Sequence, residues 1–347
     1  MPKVSVVILN WNGKRFLKDC LSSLSRVKYK PLEVILVDNN SSDGSGEYIK
    51  KYFPWVKLVA NKENYGFAKG NNLGFQAATG KYVLFLNNDT RVIPDFLDIL
   101  IRDFEEDPTV GCIQTQMRVL NQPQLLDEAG AYLTPTGFLY HYGYRKSYRL
   151  PAYQFPREIF SAKGACMLIP RQVLKRVGAF DEDFFIFFEE TDLCYRIWLA
   201  GYKVIYEPRA TIFHLAGGDT ADKYNYGKRI YLTFRNMTMS YLKNFGSRNL
   251  FTIYPIFLLT QIVLVLYFSF TFKYFLVKEI IRAYIWNLAH LGDTLRKRRT
   301  IQGKRKIADK KLNQRIIYNP SLYYYYCLLF NAKKYQDQPI LQFAWKQ

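Results

Sequence analysis

The sequence predicts an α/β fold: a mainly parallel sheet flanked by helices, followed by a hydrophobic helical segment. Three observations carry this. Up to about residue 115, short apolar runs alternate with stretches of helical period, the pattern of βαβ units. One of these runs, Tyr82–Leu86, is apolar without a break, as a central strand buried on both faces must be. Far downstream, Leu250–Phe272 is a run of 23 residues without a charge, bracketed by Arg248 and Lys273.

Taken in order, Val4–Leu9 reads as the first strand, because the run is too short for the apolar core of a secretion signal and has no small-residue cleavage site. Phe16, Leu17, Cys20, Leu21 and Leu24 recur at helical spacing. Strands follow at Glu33–Val37, Val56–Ala60, Lys81–Leu86 and Val110–Gln114, with helices over Gly66–Ala78 and Pro94–Phe104. Residues 116–158 are rich in Tyr, Gly, Pro and Gln and keep no period, so loops or hairpins that carry specificity are expected. Tyr132, Tyr140, His141, Tyr142 and Tyr144 would there either wall a ligand by ring stacking or pack a small core of their own. Regular structure resumes with Ile159–Ile169 as a strand, Arg171–Val177 and Glu189–Ala200 as helices, and Lys203–Tyr206 and Thr211–His214 as two short strands.

Charge separates the chain into parts. The formal net charge is +20 over 347 residues, and it is uneven. Residues 1–249 hold 33 Lys/Arg against 25 Asp/Glu, whereas 273–347 hold 16 against 4. Such a tail favours an anionic partner, and beside an uncharged run long enough to cross a bilayer that partner is an anionic membrane surface. A single crossing would export the basic tail, against the positive-inside tendency; a re-entrant or interfacial arrangement with Phe275–Leu291 as a second apolar helix keeps Arg296–Lys311 beside headgroups. A buried helical hairpin is the bland alternative. The five cysteines are scattered and form no C-x-x-C pair, which fits a reducing compartment.

Four segments carry chemistry. Tyr82–Leu86 stops abruptly in Asn87-Asn88-Asp89, at the strand end where open α/β sheets bind ligands; Asp89 there suits a hard cation, although an Asx turn would use the same residues. Val37-Asp-Asn-Asn-Ser-Ser-Asp-Gly44 ends the second strand: Ser41, Ser42 and Asp43 can cap the next helix, while Asp38 is free to meet a base or ribose. Asn64-Tyr-Gly-Phe-Ala-Lys-Gly-Asn-Asn72 is a glycine- and amide-rich entry to a helix, able to bring backbone N–H groups and Lys69 to a phosphate. Finally, Val177–Arg196 embeds six acidic residues among aromatics, and Glu189, Glu190 and Asp192 crowd a helix start. Helix-dipole capping accounts for some of them, but apolar surroundings also raise a carboxylate towards the range of a general base. Of the three histidines, His214, ahead of Gly217-Gly218, has the best context for a metal or a diphosphate.

As an ordered set these motifs resemble the inverting glycosyltransferases of family 2, which have the GT-A fold, over about residues 3–240, with the bacterial rhamnosyltransferase-like enzymes the nearest subgroup. The resemblance implies a nucleotide-sugar half that uses Asn10, Asn12, Asp38, Asn40, Asn64, Gly66, Lys69, Asn71 and Asn88. It implies Mg2+ or Mn2+ held by Asp89 and His214, and a catalytic segment with Glu190 on the base position beside Glu189 and Asp192. Where the family commonly has Glu-Asp this chain has Glu189-Glu190, a base one methylene longer, and Asn88 stands where many relatives carry an acid of an Asp-x-Asp motif. The implied partners are a nucleoside diphosphate sugar (dTDP-rhamnose or a UDP-sugar) and a lipid-linked glycan acceptor, at the cytoplasmic face of the cell membrane. The implied division is 1–245, a catalytic domain with a nucleotide-sugar half (1–115) and an acceptor half (116–245), then 246–347, the membrane-associating region. Asn10-Trp-Asn-Gly13, where G-x-G-x-x-G would stand, argues against a nicotinamide enzyme. The other alternative is a non-catalytic membrane- or nucleic-acid-binding protein; no nucleic-acid partner is expected, and oligomeric state leaves no signature.

Overall fold

The structure is a computed structural model that describes residues 1–215 and 224–325. Its centre is a mixed sheet built from β1 (Val4–Asn10), β2 (Leu32–Asp38), β3 (Lys57–Ala60), β4 (Tyr82–Asn87), β5 (Thr90–Val92), β6 (Val110–Val119), β7 (Gln122–Glu128), β10 (Arg157–Glu158), β11 (Cys166–Pro170) and β12 (Lys203–His214); β8 (Ala131–Leu133) and β9 (Leu139–His141) form a separate hairpin. Strand order is β10-β12-β6-β11-β4-β1-β2-β3. The block β4-β1-β2-β3 is parallel, whereas β11 runs antiparallel to both its neighbours.

Both faces are covered, as the apolar runs require. Val6 and Ile8 pack on one side with α1 (Lys14–Ser25), α2 (Ser45–Tyr52) and α4 (Phe96–Glu106). Val7 packs on the other, with α3 (Gly66–Ala77), α5 (Arg171–Val177) and α6 (Glu189–Leu199). Gly74 lets α3 lie directly on β1, since a Cβ there would stand 2.3 Å from Val7 Cγ1.

The chain leaves β1 towards β2 and β3 on one side and returns at β4 on the other. The strand order therefore reverses between β1 and β4, and a crevice opens beyond their carboxyl ends. Register aligns Asn10 with Asp38, and Leu9 with Asn87, at that edge.

Three expected elements differ. Ile159–Ile169 is not one strand: Arg157–Glu158 and Cys166–Pro170 are separate, because residues 160–164 leave the sheet, with Phe160 N and Ser161 N bonding to Ala131 O and Cys166 N to Lys163 O. Lys203–Tyr206 and Thr211–His214 are one strand with a bulge between Glu207 and Thr211, where Pro208 has no N–H and the Glu207 carboxylate takes Arg209 N. Within 116–158, β6 continues to Val119 and hairpins follow; Tyr132, Tyr140, Tyr142 and Tyr153 are buried, so the tyrosines pack a core of their own, and only Tyr144 and His141 of those singled out are exposed.

Five helices follow in the described chain: α7 (Tyr226–Asn244), the hairpin pair α8 (Ser247–Phe270) and α9 (Tyr274–Ala289), α10 (Leu291–Gly303) and α11 (Asp309–Ile316). Met237, Tyr241, Phe257 and Leu312 join the same core as α6. The glycine pair after His214 and the residues from 326 onward lie outside the described residues.

Candidate active site

At the β1/β4 crevice lies a cavity of about 300 Å3 lined by Trp11, Asn39, Asn64, Gly66, Asn88, Asp89, Lys163, Ile186, Phe187, Glu189, Glu190, His214 and Tyr224, among others. Residues from four separate sequence motifs thus meet in one place.

The floor is the end of β4. Antiparallel pairing of β5 with β12 places His214 opposite Thr90, and Leu215 N donates to Asp89 O, so the histidine ring is brought beside Asp89. His214 Nε2 is 3.2 Å from Asp89 Oδ1, an ion-pair contact, and 3.4 Å from Asn87 Nδ2. On the far side, His214 Nδ1 lies 2.8 Å from Asp127 Oδ2. Burial by itself would lower the imidazole pKa; the charges of Asp89 and Asp127 outweigh it and raise it to about 9. A carboxylate on Nδ1 that leaves Nε2 facing a second carboxylate is the arrangement of a metal-ligating histidine. These two side chains would fit a divalent cation in place of the imidazole proton between them, because Asp89 Oδ1 is buried beside the His214 ring. Among the described residues no group of three His, Cys, Asp or Glu could hold a metal alone. Remaining ligands would come from diphosphate oxygens and water, the habit of magnesium sites.

The wall at the ends of β1 and β2 is backed by a hydrogen-bonded amide network, of which Asn39, Asn64, Gly66 and Asn88 line the cavity and Asn10, Asn12, Asp38 and Asn40 do not. Asn10 Nδ2 donates to Asp38 Oδ1, Asn88 Nδ2 donates to Asn10 Oδ1 at 2.8 Å, and Ser41 donates its hydroxyl to Asp38. Asn64 Oδ1 accepts from Gly66 N and Asn39 Nδ2. Gly66 has φ +76°, and a Cβ there would meet Phe185 O at 2.5 Å, so only glycine fits. Asn12 and Asn40, both at positive φ, shape the loops: Asn12 Oδ1 accepts from Ser42 N, and Asn40 is exposed. Two expectations shift. Asn71 turns its amide to Phe67 O within α3. Lys69 stands over the Tyr65 ring at 4.1 Å and does not line the cavity. Helical geometry is the cause: Asn64 and Gly66 lie at the helix start, while Lys69 and Asn71 follow on turns that point elsewhere.

Opposite stand Glu189 and Glu190, the first residues of α6. Each keeps one buried carboxylate oxygen, Oε2, without a hydrogen-bond partner. Burial raises both pKa values; the Glu190 charge pushes Glu189 further, while Lys163 and His141 pull Glu190 back. Two adjacent buried carboxyls pushed the same way titrate as a pair, and burial favours a proton held between them over ionising both. Asp192, expected beside them, does not line the cavity. It is fully buried, bonded to Arg196 Nε at 2.9 Å, Asn244 Nδ2 at 2.7 Å and Ser240 Oγ, with Lys243 Nζ at 3.2 Å. One helical turn carries it from the mouth of the helix into the protein.

Sequence reading missed Lys163. Its Nζ lies 2.8 Å from Asp127 Oδ2 and 4.0 Å from Glu128 Oε2, and Glu128 in turn meets His141 Nδ1 at 2.8 Å. Burial lowers the lysine pKa, but the Glu128 and Asp127 charges raise it beyond that loss. Alternating charges thus run from Asp89 through His214, Asp127, Lys163 and Glu128 to His141, linking the floor to the base side. The signal available was a lone Lys in the apolar stretch 159–169 and the Asp-Glu pair closing Leu125-Leu126. Trp11, Tyr224 and Phe187 add an aromatic rim, with ring centroids 6.5 Å apart for Trp11–Tyr224 and 6.0 Å for Phe187–Tyr224.

Known proteins resemble this chain in sequence and fold. The family model for glycosyl transferase family 2 matches residues 5–178, a span that includes Asp38 and Asp89 and ends before Glu189, Glu190 and His214. Poly-beta-1,6-N-acetyl-D-glucosamine synthase of Staphylococcus epidermidis is 27% identical over 219 residues, 61% of this chain and 50% of that protein. N-acetylglucosaminyl-diphospho-decaprenol L-rhamnosyltransferase of Mycobacterium tuberculosis is 26% identical over 230 residues, 60% of this chain and 75% of that one. The chain spans about half the length of the first curated relatives it matches. Among solved structures, GalNAc-T7 with UDP, GalNAc and Mn2+ superposes with a TM-score of 0.56 at 19% identity, over 70% of this chain and 48% of that one. The mannosyltransferase PcManGT of Pyrobaculum calidifontis, with GDP-Man and Mn2+, gives 0.51 at 19% identity, over 83% and 87%. These neighbours share the GT-A-like α/β fold. With half of its length matched by the family model, the chain belongs to glycosyl transferase family 2.

Proposed function

We propose that the protein transfers a sugar, with inversion, from a nucleoside diphosphate donor to a hydroxyl of a lipid-linked glycan in cell-surface polysaccharide synthesis. The observation that carries this reading is the facing of two unsatisfied acidic groups across one cavity: Asp89 with His214 on the floor, and Glu189-Glu190 on the opposite wall. Asn10, Asp38, Asn64 and Asn88 form the donor side, and the aromatic rim offers stacking faces to base or sugar. Asp89 and His214 would hold Mg2+ or Mn2+; when bound, the ion supplies positive charge for the departing diphosphate. Glu190, with the Lys163 charge opposing the push of burial, takes the proton of the acceptor hydroxyl as its oxygen attacks the anomeric carbon from the face opposite the diphosphate.

The donor is a dTDP- or UDP-sugar by kinship: the mycobacterial relative is named a rhamnosyltransferase acting on a decaprenol-linked sugar. The test is transfer from dTDP-rhamnose and UDP-sugars by purified protein. Full activity in a Glu190→Gln, Asp89→Ala double variant would sink the assignment.

The same reading places the enzyme against the cytoplasmic face of a membrane. Helix α8 is long and apolar enough to cross one, and most of it is not buried against the rest of the protein. It exposes Phe251, Leu259, Ile262, Val263, Leu266 and Phe270. The chain then returns: α9 packs on α7 through Leu276, Ile280, Ala283 and Asn287. That return favours a hairpin seated in one leaflet over a crossing, with Lys273, Lys278 and Arg282 near anionic headgroups. The domain division 1–245 and 246–347 is kept as a functional one, although the two parts share a core.

A further inference from the structure

The five residues before the acidic pair, Phe184-Phe-Ile-Phe-Phe188, read as an apolar run, but Phe184 ends a short 3-10 turn and the four that follow are neither strand nor helix. Phe185, Phe187 and Phe188 have φ of +61°, +73° and +71°. Bulky side chains adopt that region rarely, and such strain persists only where surroundings over-determine it. The segment matters because Ile186 and Phe187 line the cavity and Phe188 is the N-cap of α6, whose first residues are Glu189 and Glu190. No side chain caps that helix start, so its aim depends on the segment itself.

What holds the segment is α7. Asn236 Nδ2 lies within donating distance of three carbonyls: Phe184 O at 3.0 Å, Ile186 O at 2.9 Å and Phe187 O at 2.6 Å. Arg235 Nη2 donates to Asp183 O at 2.7 Å and Phe184 O at 2.8 Å, and its Nε donates to Asn236 Oδ1 at 2.8 Å. Asn236 is fully buried and Arg235 nearly so. From the other side, Phe67 N and Ala68 N donate to Phe185 O. The clamp is itself backed by α9: the Arg235 guanidinium sits over the Trp286 ring at 4.7 Å, and Asn287 Nδ2 donates to Arg235 O at 3.1 Å.

We propose that Arg235 and Asn236 are positioning residues for sugar transfer, acting through the strained 184–188 segment to aim Glu190 at the acceptor. This rests on the reading of Glu190 as base. The clamp touches no part of the floor formed by Asp89 and His214, so it should govern turnover more than nucleotide binding. It spends a buried guanidinium and a buried amide on backbone carbonyls of one segment, which is how a required geometry is imposed rather than how a core is filled.

The experiment compares Asn236→Ala, Asn236→Asp and Arg235→Lys with Asn244→Ala. Asn244 is an equally buried amide of α7 that bonds Asp192 and leaves the segment alone. Turnover is followed with dTDP-rhamnose or UDP-N-acetylglucosamine, whichever the unchanged protein uses. Binding of the matching nucleoside diphosphate with Mn2+ is followed by calorimetry, and amide exchange over 184–190 by mass spectrometry. Expected is a fall in kcat of at least 30-fold for Asn236→Ala, a smaller fall for Arg235→Lys, and nucleotide affinity within twofold. Exchange over 184–190 should quicken tenfold or more in the Asn236 variants only. A kcat for both Asn236 variants within twofold of Asn244→Ala, or unchanged exchange over 184–190, would overturn the positioning role. If the unchanged protein turns over none of the sugars offered, the transferase chemistry is wrong and the role falls with it, an outcome distinct from active protein with indifferent variants.

Discussion

His214 Nε2 and Asp89 Oδ1 stand 3.2 Å apart at the floor of the cavity, brought together by the pairing of β5 with β12 and not by nearness in the chain. A carboxylate oxygen and an imidazole nitrogen at that spacing would suit one small divalent ion. Asp89→Asn and His214→Gln should each weaken nucleoside diphosphate binding in Mn2+ by at least tenfold. Binding in EDTA should change little. Calorimetry with and without metal checks this; equal losses in both conditions would mean that the pair serves structure alone.

The stacked acids make a stability prediction with a definite sign. Glu189 has a folded pKa raised above its unfolded value by burial and by Glu190. Its favourable contribution is therefore fully present below the ordinary value near 4.5 and is lost as pH rises through the folded value. Glu189→Gln, which keeps the shape and removes the titration, should raise Tm at pH 8 and leave it nearly unchanged at pH 4. A thermal melt series in pH decides it.

Lys163 faces Asp127 and Glu128 and lowers the pKa of Glu190 against the push of burial and of the Glu128 charge. Removing the cation by Lys163→Met should move the acid limb of the kcat–pH profile upward, by about one unit or less given the partial exposure of the lysine. Lys163→Arg should restore much of the original profile. An unmoved limb in the Met variant would remove Lys163 from control of the base.

Asp192 should matter for folding rather than chemistry. Its carboxylate pairs with Arg196 and Lys243 in a fully buried setting, and those charges hold its pKa below the usual range although burial acts the other way. Asp192→Ala leaves two buried cations short of a partner and should cost about 3 kcal/mol or more. Urea unfolding measures it, and a loss under about 1 kcal/mol would contradict the network.

The outward face of α8 predicts lipid binding. Replacing Leu259, Ile262 and Leu266 together by Ser should abolish flotation with vesicles containing anionic lipid while leaving transfer to a soluble acceptor analogue intact. An impermeant thiol reagent supplies the control for crossing: a cysteine at Phe272 should never be protected across a sealed bilayer from the side that holds the catalytic unit.

How much of this was legible beforehand follows from how local each signal is. The apolar runs of β1, β2 and β4 and the helical period of α1 are properties of neighbouring residues, so their placement came from sequence within a residue or two. The segment 159–169 was misread because its apolar residues leave the sheet midway, and apolarity does not say which strand, if any, a side chain packs beside. Lys69 and Asp192 were drawn into the site by proximity to true lining residues; a turn or less of helix, at about 100° per residue, was enough to carry them away.

The sequence by itself determined the family, the α/β class and the motifs that end at Asp38, Asp89 and Glu190, because short-range pattern and residue chemistry specify them. Only the tertiary structure decided which of those groups share a cavity, that Lys163, Asp127 and Glu128 tie its two walls together, and that Asn236 holds the approach to the acids. The reason is physical: charge coupling and hydrogen bonding act over a few ångströms, and the residues concerned lie on different strands and helices whose spacing no local pattern records.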